Sequence, residues 1–398
     1  MRIALIDPSL FTLPYDAALA AGLDARGHQV VLYGRTPDPG ETPPPGLQLV
    51  PGFYRVAERR PVRALPRTLR LGVKGADHLA SMLWLRRAVR AWRPDVLHFQ
   101  WLPLPVIDRR FLPGLRRLAP LVLTVHDTDP FNGDPSAALQ GIGATGAFGA
   151  FDRLIVHTAS GRERLIAGGA DPARVTVMPH GPLGTPVPAP APDAMDGDVT
   201  FLLFGKIKPY KGADLLIEAF ARVAEPLRRR ARLRIVGKPY MDIQPLRTLA
   251  AAHGVDPGLE PRFVADPEIP ALFGPGTVAV FPYREIEASG VLTLALSHGR
   301  PVIASRIGGF AETLTDGVHG ALIATGDAPA LAAAMTRLLT DRAWTAACAR
   351  NAAALAAAVP DWPTIADSTV ALYKAAPFNR ELPAPMKIHP EQAPARSA

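Results

Sequence analysis

Short runs of uninterrupted apolar residues alternate along this chain with stretches in which apolar residues recur at helical spacing. The first runs are RIALI at 2–6 and QVVLY at 29–33, and residues 16–26 between them carry Ala and Leu at helical spacing. Runs without polar alternation are typical of parallel strands that are buried on both faces. A strand, a helix and a second strand in this order therefore predict a βαβ unit.

The alternation continues through both halves of the chain. In the first half it predicts strands at 95–99, 121–125, 153–157 and 175–178, and helices at 84–92 and 159–168. Residues 186–198 are rich in Pro, Ala and Asp and predict a linker. Beyond the linker the pattern predicts strands at 200–204, 233–236, 278–281 and 302–304, helices at 213–223 and 291–298, and one Ala-rich helix at 328–357.

Two such series joined by a linker predict an α/β protein with two Rossmann-like, doubly wound domains that face a cleft. The first domain is predicted to span residues 1–185, with a helix at 362–376 returning to it, and the second to span residues 199–361. Residues 377–398, rich in Pro and Ala, are predicted to be disordered. Open parallel sheets bind ligands at the carboxyl ends of their strands, so functional residues are expected there.

Cysteine content and apolar run length restrict the compartment. The single cysteine, Cys348, excludes an intramolecular disulfide and a cysteine-rich zinc site. The apolar start at 1–6 is too short for the core of a signal peptide, and no run of about 18–20 apolar residues predicts a membrane-spanning helix. These features predict a cytoplasmic protein.

Basic residues are concentrated in one segment of the first half. The chain carries a net charge of +8, and eleven basic residues against two acidic ones lie between Arg55 and Arg93. Such a segment attracts anionic surfaces, either lipid headgroups or nucleic acid, and a solvated basic face has the same composition. No nucleic-acid partner is predicted, because stacking aromatics and a reading helix are missing. Apolar residues are interleaved with the basic ones, namely Leu69, Leu71, Leu83, Trp84 and Leu85. They favour peripheral attachment to an anionic membrane, at the inner face of the plasma membrane.

A lysine-rich turn between a predicted strand and a predicted helix is the strongest local signal for chemistry. The segment FGKIKPYKGADLLIEAF, residues 204–220, places Lys206, Lys208 and Lys211 between Gly205 and Gly212. Two lysines five residues apart on such a turn can converge on one anion, and ammonium groups neutralise the oxygens of a diphosphate. A solvated basic loop is the alternative explanation.

A second signal lies at the start of the helix predicted at 291–298. Ser289 is a favourable capping residue, Gly290 permits close approach of a ligand, and the amide groups of the first turn, including that of Val291, have no acceptor within the helix. These amides and the positive end of the helix dipole attract phosphate. Many helices begin with Ser-Gly, so the signal matters because a lysine-rich turn precedes it in the same series.

Taken together, these segments resemble glycosyltransferase family 4, whose members have the GT-B fold. That family shows a pattern close to G-[RK]-x4-K-G followed by LIEAF, which the chain matches with Lys206 and Lys211. The segments GRPVIAS at 299–305 and IGGFAE at 307–312 are also similar. Looser matches extend the resemblance over about residues 1–375.

The resemblance implies a retaining glycosyltransferase. It would move a hexose from a nucleotide-sugar donor to a glycan or polyprenyl-diphosphate-linked acceptor, in cell-surface polysaccharide or glycolipid biosynthesis. No metal and no cofactor is expected, since the nucleotide sugar is a substrate. His126 is implied at the donor sugar or the reaction centre, and Glu287 at sugar hydroxyls. Donor diphosphate binding is implied for Lys206, Lys211, Ser289, Gly290 and Val291, with donor loops at Gly205 and at Gly237, where the nucleobase would approach.

The chain departs from the family pattern at the E-x7-E motif. Glu287 serves as the first glutamate, but the second position is Ala295 or, aligned on GRP at 299–301, Leu294. The segment reads SGV where the family has a glycine-rich start. The donor ribose would then be held by the backbone or by Thr293 or Ser297. The missing glutamate motivates an alternative hypothesis, a nucleotide-sugar-binding protein without turnover.

Three features of the first half leave the acceptor open. The segment DPSLFTLPYD at 7–16 lacks the glycine pair that the family commonly has there. His98 and Trp101 flank a strand end, where they either shape an acceptor site or pack in the core. The spacing of Asp127-Thr128-Asp129 is that of a metal motif, but it follows His126 and is interpreted as part of the sugar site.

Overall fold

The computed structural model describes residues 1–38, 41, 43–128, 144–183 and 198–375. Within these ranges the chain forms two compact units. The first comprises residues 1–179 and the segment that begins at Asp361, and the second comprises residues 180–360. Residues 180–183, assigned to the first domain from sequence, therefore cluster with the second unit. Residues 186–197 of the predicted linker and the tail at 377–398 lie outside the described residues.

The first unit is built on a parallel sheet. Its described strands are β1 (Arg2–Asp7), β2 (Gln29–Arg35), β3 (Leu49–Phe53), β4 (Val96–Phe99), β5 (Leu121–Val125), β6 (Arg153–Val156) and β7 (Val175–Val177). They pair in the order β3-β2-β1-β4-β5-β6-β7. Its described helices are α1 (Leu13–Asp24), α2 (Arg60–Arg63), α3 (Arg67–Trp92), α4 (Pro105–Arg116), α5 (Ala144–Phe148), α6 (Ala159–Ala167) and α15 (Trp362–Ala375).

Both faces of this sheet are covered by helices, which explains the unalternated apolar strands. Along β1, Ala4 and Ile6 face a core shared with α3 and α4. Ile3 and Leu5 face the opposite core, shared with α1 and α15. The strand order reverses between β1 and β4, so the carboxyl ends of these strands border a crevice of the kind in which doubly wound sheets bind ligands.

The second unit repeats this architecture. Its described strands, β8 (Val199–Phe204), β9 (Ala231–Val236), β10 (Leu259–Glu260), β11 (Thr277–Phe281), β12 (Val302–Ser305) and β13 (Gly320–Ile323), pair in parallel in the order β10-β9-β8-β11-β12-β13. Here the order reverses between β8 and β11. The described helices are α7 (Ala213–Arg222), α8 (Glu225–Arg228), α9 (Gln244–Ala252), α10 (Ile269–Leu272), α11 (Gly290–Ser297), α12 (Gly308–Thr313), α13 (Ala328–Thr340) and α14 (Arg342–Ala358).

The predicted fold class, two doubly wound α/β domains, is confirmed by these two sheets with helices on both faces. That the domains face a shared cleft stays a prediction. The single helix predicted at 328–357 is wrong: it is two helices, because the Asp341 side chain accepts a hydrogen bond from the Trp344 amide at 3.0 Å and caps a new helix. Helix α3 begins at Arg67 rather than near residue 84, where it was predicted to begin. Its first turns are exposed and carry no apolar stripe that faces a core, so the sequence pattern did not reveal them.

Two features are absent from the described residues. No described helix combines the length and the apolarity needed to cross a membrane. Among the same residues, no three His, Cys, Asp or Glu side chains are grouped as metal ligands would be. Asp129, the second carboxylate of the D-x-D spacing, lies outside the described residues.

Candidate active site

The lysine-rich turn connects β8 to α7 through two glycines in left-handed conformations. Gly205 follows the strand with a φ of 110°, and Gly212 caps the helix with a φ of 68°. Between them a short 3-10 turn covers Pro209–Lys211. A side chain at either glycine would strain this backbone conformation. It carries Lys206, Lys208 and Lys211 past the carboxyl end of β8.

Glycines also let three strand ends approach one another. A Cβ atom on Gly212 would lie 2.1 Å from the carbonyl oxygen of Pro282, which follows β11. A Cβ atom on Gly237, which follows β9, would lie 1.8 Å from the carbonyl oxygen of Gly205. Neither distance is tolerable, so only glycine permits the backbone segments after β8, β9 and β11 to pack in contact.

The segment after β11 is fastened to the lysine-rich turn. Its Arg284 amide donates to the Tyr210 carbonyl at 2.7 Å, and its guanidinium pairs with Asp214 at 2.7 Å. On the other side, the Gly309 amide at the start of α12 donates to the Glu287 carbonyl at 2.8 Å. Since β8 and β11 are neighbours at the reversal of strand order, these contacts place both segments at the crevice where such sheets bind ligands.

Helix α11 begins beside this turn with unused amide groups. The Ser289 side chain caps the helix by accepting from the Leu292 amide at 3.3 Å. The amides of Gly290 and Val291 belong to the first turn of α11, whose N–H groups have no carbonyl acceptor within the helix. A Cβ atom on Gly205 would lie 3.4 Å from the Val291 side chain and 2.9 Å from the Lys211 ammonium. Lys211 and the start of α11 therefore adjoin the same glycine, as an anion site requires.

Burial changes the protonation of Lys211. Only 6% of this residue is exposed, and its ammonium lies 5.0 Å from the centre of the Tyr283 ring. Burial, followed by repulsion from Lys206 and Lys208, lowers the pKa of Lys211 to about 7. A bound diphosphate would reverse both effects, because an opposite charge favours the ammonium form. Lys211 thus titrates near neutrality until an anion arrives.

We expect the affinity for UDP to weaken as the pH rises above 7, by up to about tenfold per pH unit, because binding must then protonate Lys211. Without ligand, the folding stability that Lys211 contributes changes with pH in the opposite direction. The unfolded chain binds this proton up to pH about 10.5 and the folded chain only to about 7, so stability due to Lys211 rises with pH across this window. Calorimetric titration at pH 6.5, 7.5 and 8.5 measures the first effect. Lys211→Arg, which stays charged, should flatten it; an equally steep decline in that variant would contradict the assignment.

Tyr240 is a site residue that the sequence analysis did not single out. Its ring is 52% exposed, and the ammonium groups of Lys206, Lys208 and Lys238 lie 5.9, 6.0 and 5.8 Å from its centre. An isolated Ile207–Pro239 bridge holds the loop after β9 against the lysine-rich turn. Tyr240 ends the segment GKPY at 237–240, which begins at Gly237, where the nucleobase was expected to approach.

Glu287, the first glutamate of the E-x7-E motif, lies in the second unit. The residues at the second position of the motif are buried. Glu287 is 2% exposed on the segment fastened to α12. Both alternatives for the second glutamate, Ala295 and Leu294, are buried in the core beneath α11. Ser297 is also buried, whereas Thr293 is half-buried and donates its hydroxyl to the Gly290 carbonyl at 2.8 Å. Of the two hydroxyl groups considered for the ribose, only that of Thr293 is open to a ligand.

His126 lies in the first unit, immediately after β5. Its Nε2 atom is 3.3 Å from Oε1 of Gln100, which follows β4. Its Nδ1 atom is 3.3 Å from Nε2 of His157, which follows β6. The Tyr15 ring meets the imidazole edge to face, with centroids 4.8 Å apart. Neither Gln100 nor His157 was identified from sequence, because partners on three separate strands leave no local pattern.

His98 and Trp101, which the sequence left open, have different surroundings. His98 is fully buried between the Tyr373 hydroxyl at 2.7 Å and the Thr124 hydroxyl at 2.8 Å, so it packs in the core. Trp101 stacks on Phe11, with centroids 4.5 Å apart. It borders an open depression of about 310 Å³ at the ends of β4 and β5, lined by Trp101, Leu102, Pro105, Leu123, Thr124, Val125, His126, Asp127 and Phe148.

The loop after β1 is held by acidic side chains where the resembled family has glycines. Asp7 accepts from the Thr12 amide at 2.9 Å, and the Thr12 hydroxyl lies 3.1 Å from Asp16. Both carboxyl groups are fully buried. Burial raises the pKa of Asp7, and burial together with the charge of Asp7 raises the pKa of Asp16 well above its ordinary value. One of the two carboxyl groups is therefore best accommodated as the neutral acid.

The chain is similar in sequence and in fold to known glycosyltransferases. Residues 17–181 match the model described as Glycosyltransferase Family 4, and residues 198–341 match the model described as Glycosyl transferases group 1. The D-inositol 3-phosphate glycosyltransferase 1 of Catenulispora acidiphila is 30% identical over 304 residues, which cover 71% of this chain and 72% of that protein. That of Geodermatophilus obscurus is 35% identical over 244 residues, 56% of this chain and 53% of its own length.

The chain thus spans about half the length of one curated relative and nearly three quarters of another. Among solved structures, that of Anabaena Alr3699/HepE in complex with UDP and glucose superposes with a TM-score of 0.70 at 18% identity. The match covers 94% of this chain and all of that one. At this identity the likeness concerns the fold.

Proposed function

The chain belongs to glycosyltransferase family 4, and from this membership we propose that it transfers a hexose from a nucleotide-sugar donor held by the second unit. The observation that carries the proposal is that Lys211 and the first turn of α11 adjoin Gly205, with Lys206 near enough to Lys211 to lower its pKa. Two ammonium groups and a helix N-terminus together match the charge and the size of a diphosphate.

The same groups suit the departure of a diphosphate during the reaction. Charge accumulates on its oxygens as the glycosidic bond breaks, and preorganised donors stabilise charge that develops in the transition state. Because lysines and amides supply this compensation, we propose that no metal ion is needed. A diphosphate oxygen would help to deprotonate the acceptor on the same face of the sugar, which retains the anomeric configuration. Glu287 would contact sugar hydroxyls, and His126 would contact the donor sugar or the reaction centre.

A thermal-shift panel with UDP, GDP, dTDP and ADP sugars tests the donor. We expect one base to raise the melting temperature in proportion to the logarithm of ligand concentration, because ligands stabilise the state that binds them. UDP-glucose is the first choice, since the solved neighbour from Anabaena holds UDP and glucose. The shift should persist in EDTA. Equal, small shifts for all four bases would contradict a dedicated donor site.

Binding without turnover is the second candidate function, favoured by the buried Ala295 and Leu294 where a ribose-binding glutamate is usual. Formation of a product distinguishes the two, and the coupling constant of its anomeric proton reports retention. We propose a glycan or polyprenyl-diphosphate-linked acceptor. Because the relatives are named for D-inositol 3-phosphate, that compound belongs in the same acceptor panel.

Helix α3 offers a surface for the membrane attachment that the charge pattern suggested. Leu69, Leu79 and Leu83 of this helix are 58, 44 and 44% exposed. The predicted surface is corrected in two places: Leu85 is fully buried, and Trp84 packs against Gly52. An apolar row flanked by exposed Arg70, Arg86 and Arg87 matches an anionic lipid surface in charge and polarity.

We expect co-sedimentation with phosphatidylglycerol vesicles at low salt, because each basic residue near such a surface adds about 1 kcal/mol. Leu69→Asp with Leu83→Asp should reduce the bound fraction at least tenfold, since it places two carboxylates in the interface. Val318→Asp, at a site 39% exposed in the second unit, is the matched control. Wild-type protein that ignores the vesicles would refute the surface.

A further inference from the structure

His126 belongs to a row of polar side chains that crosses three adjacent strand ends. Gln100 follows β4, His126 follows β5 and His157 follows β6, and these strands are neighbours in the sheet. The Gln100–His126 and His126–His157 contacts each measure 3.3 Å and use different nitrogens of the central imidazole. The Tyr15 ring packs against both histidines, at 4.8 and 5.2 Å between centroids. The ring of His126 is therefore oriented by its neighbours on both edges.

The far end of the row determines the direction of its hydrogen bonds. Nδ1 of His157 lies 3.0 Å from the carbonyl oxygen of Met178, which follows β7. A carbonyl only accepts, so Nδ1 of His157 carries the proton. Nε2 of a neutral His157 then has a lone pair, and it points at Nδ1 of His126. His126 must donate from Nδ1, which leaves its Nε2 as the basic nitrogen.

Gln100 suits both protonation states of that basic nitrogen. Its side-chain amide has one end that accepts and one that donates. The carbonyl end, as it stands at 3.3 Å, accepts from a protonated Nε2, and the amino end after rotation donates to a neutral one. Gln100 can therefore bond Nε2 of His126 in either protonation state; in the present orientation its amino end lies 3.4 Å from both nitrogens of His98.

We infer that His157 is a positioning residue for His126: it fixes the Nδ1–H tautomer, so that Nε2 of His126 serves the transferred sugar or its acceptor. This role rests on the proposed function of His126. A neutral imidazole whose Nε2 accepts from Nδ1–H of His126 orients that ring as a carboxylate does in other catalytic dyads, with less charge.

Other titratable groups lie close to the pair. Asp127 follows His126 directly in the chain. Tyr15 on α1 is fully buried, and burial raises its pKa beyond the range in which it ionises in cells. Burial, and then the charge of His157, lowers the pKa of His98 to about 3, so His98 stays neutral. Tyr15 and His98 therefore stay neutral beside the pair.

Two substitutions at one position separate the role in tautomer selection from simple packing. His157→Phe keeps an aromatic ring beside Tyr15 and removes both nitrogens, whereas His157→Gln keeps an acceptor near the place of Nε2. In long-range proton–nitrogen NMR spectra, assigned with His126→Gln, we expect the Nδ1–H tautomer of His126 in wild type and in the Gln variant. The Phe variant should show a mixture of tautomers.

Transfer rates should follow the tautomer. We expect kcat to fall roughly tenfold in the Phe variant, with KM nearly unchanged and the acidic limb of the pH profile displaced, because one orienting hydrogen bond is lost. The Gln variant should stay within about threefold of wild type. His253→Gln, an exposed histidine of the second unit, is the matched control.

A Phe variant that keeps the wild-type tautomer of His126 would overturn the inference, as would an unchanged kcat once the tautomer is scrambled. The NMR comparison needs no turnover. If no donor or acceptor supports transfer even in wild type, it is the proposed function that fails, and the tautomer comparison still decides the role of His157.

Discussion

Loss of both Lys206 and Lys211 is expected to remove donor binding, with UDP affinity falling about a thousandfold in the double alanine variant. Hydrogen bonds to charged groups contribute roughly 1.5–3 kcal/mol each, which is tenfold to a hundredfold per lysine. The two single variants should differ. Lys211 is 6% exposed beside Tyr283 and loses packing as well as charge, whereas Lys206 lies near the exposed Tyr240 ring.

Calorimetric titration with UDP measures this effect, and circular dichroism establishes that the variants are folded. Substitution by methionine repeats the test with the aliphatic stems retained, so that only the charges are lost. Lys374→Ala, on the exposed face of α15, is the control. If the double variant binds UDP within threefold of wild type, the donor diphosphate is held elsewhere and the proposed function loses its main support.

The prediction of a donor site rests on local signals, and it stays a prediction. Lys206 and Lys211 lie on one turn, and Ser289 and Gly290 open one helix, so spacing and helix-start chemistry identify them. The two sheets were predictable for the same reason, since strands buried on both faces leave uninterrupted apolar runs. What these segments do chemically still depended on resemblance to a family.

Long-range contacts were not predictable, because no spacing records them. Gln100, His126 and His157 come together only when β4, β5 and β6 align in register. Tyr240 joins the lysines through the packing of Gly237 on Gly205. The first turns of α3 were missed for a local reason. Their exposed leucines and glycines do not face a core, so they leave no apolar stripe in the sequence.

A buried hydrogen bond between α3 and α4 also escaped the sequence, and its loss carries the largest expected effect on stability. Nε2 of His78 lies 2.6 Å from Asp108, and the two side chains are 0 and 1% exposed. Nδ1 of His78 lies 3.0 Å from the hydroxyl of Tyr54, a residue with a positive φ of 56° that follows β3. Asp108 also accepts from the Leu104 amide at 3.1 Å, at the start of α4. This row of contacts ties α3, α4 and β3 together.

Asp108→Ala is expected to lower the free energy of unfolding of the first unit by about 3–5 kcal/mol, because it leaves a buried imidazole and a helix-start amide without their acceptor. Asp108→Asn, which keeps an acceptor oxygen, should cost less than half of that. Hydrogen exchange of the amides in β1 and β4 under urea measures the unit directly. Glu225→Ala is the matched control: its pair with Arg229 is exposed, with side chains 62 and 76% accessible, so a change within about 0.5 kcal/mol is expected. Equal effects at Asp108 and Glu225 would mean that water reaches the buried pair, and α3 would then be free to move independently of the sheet beneath it.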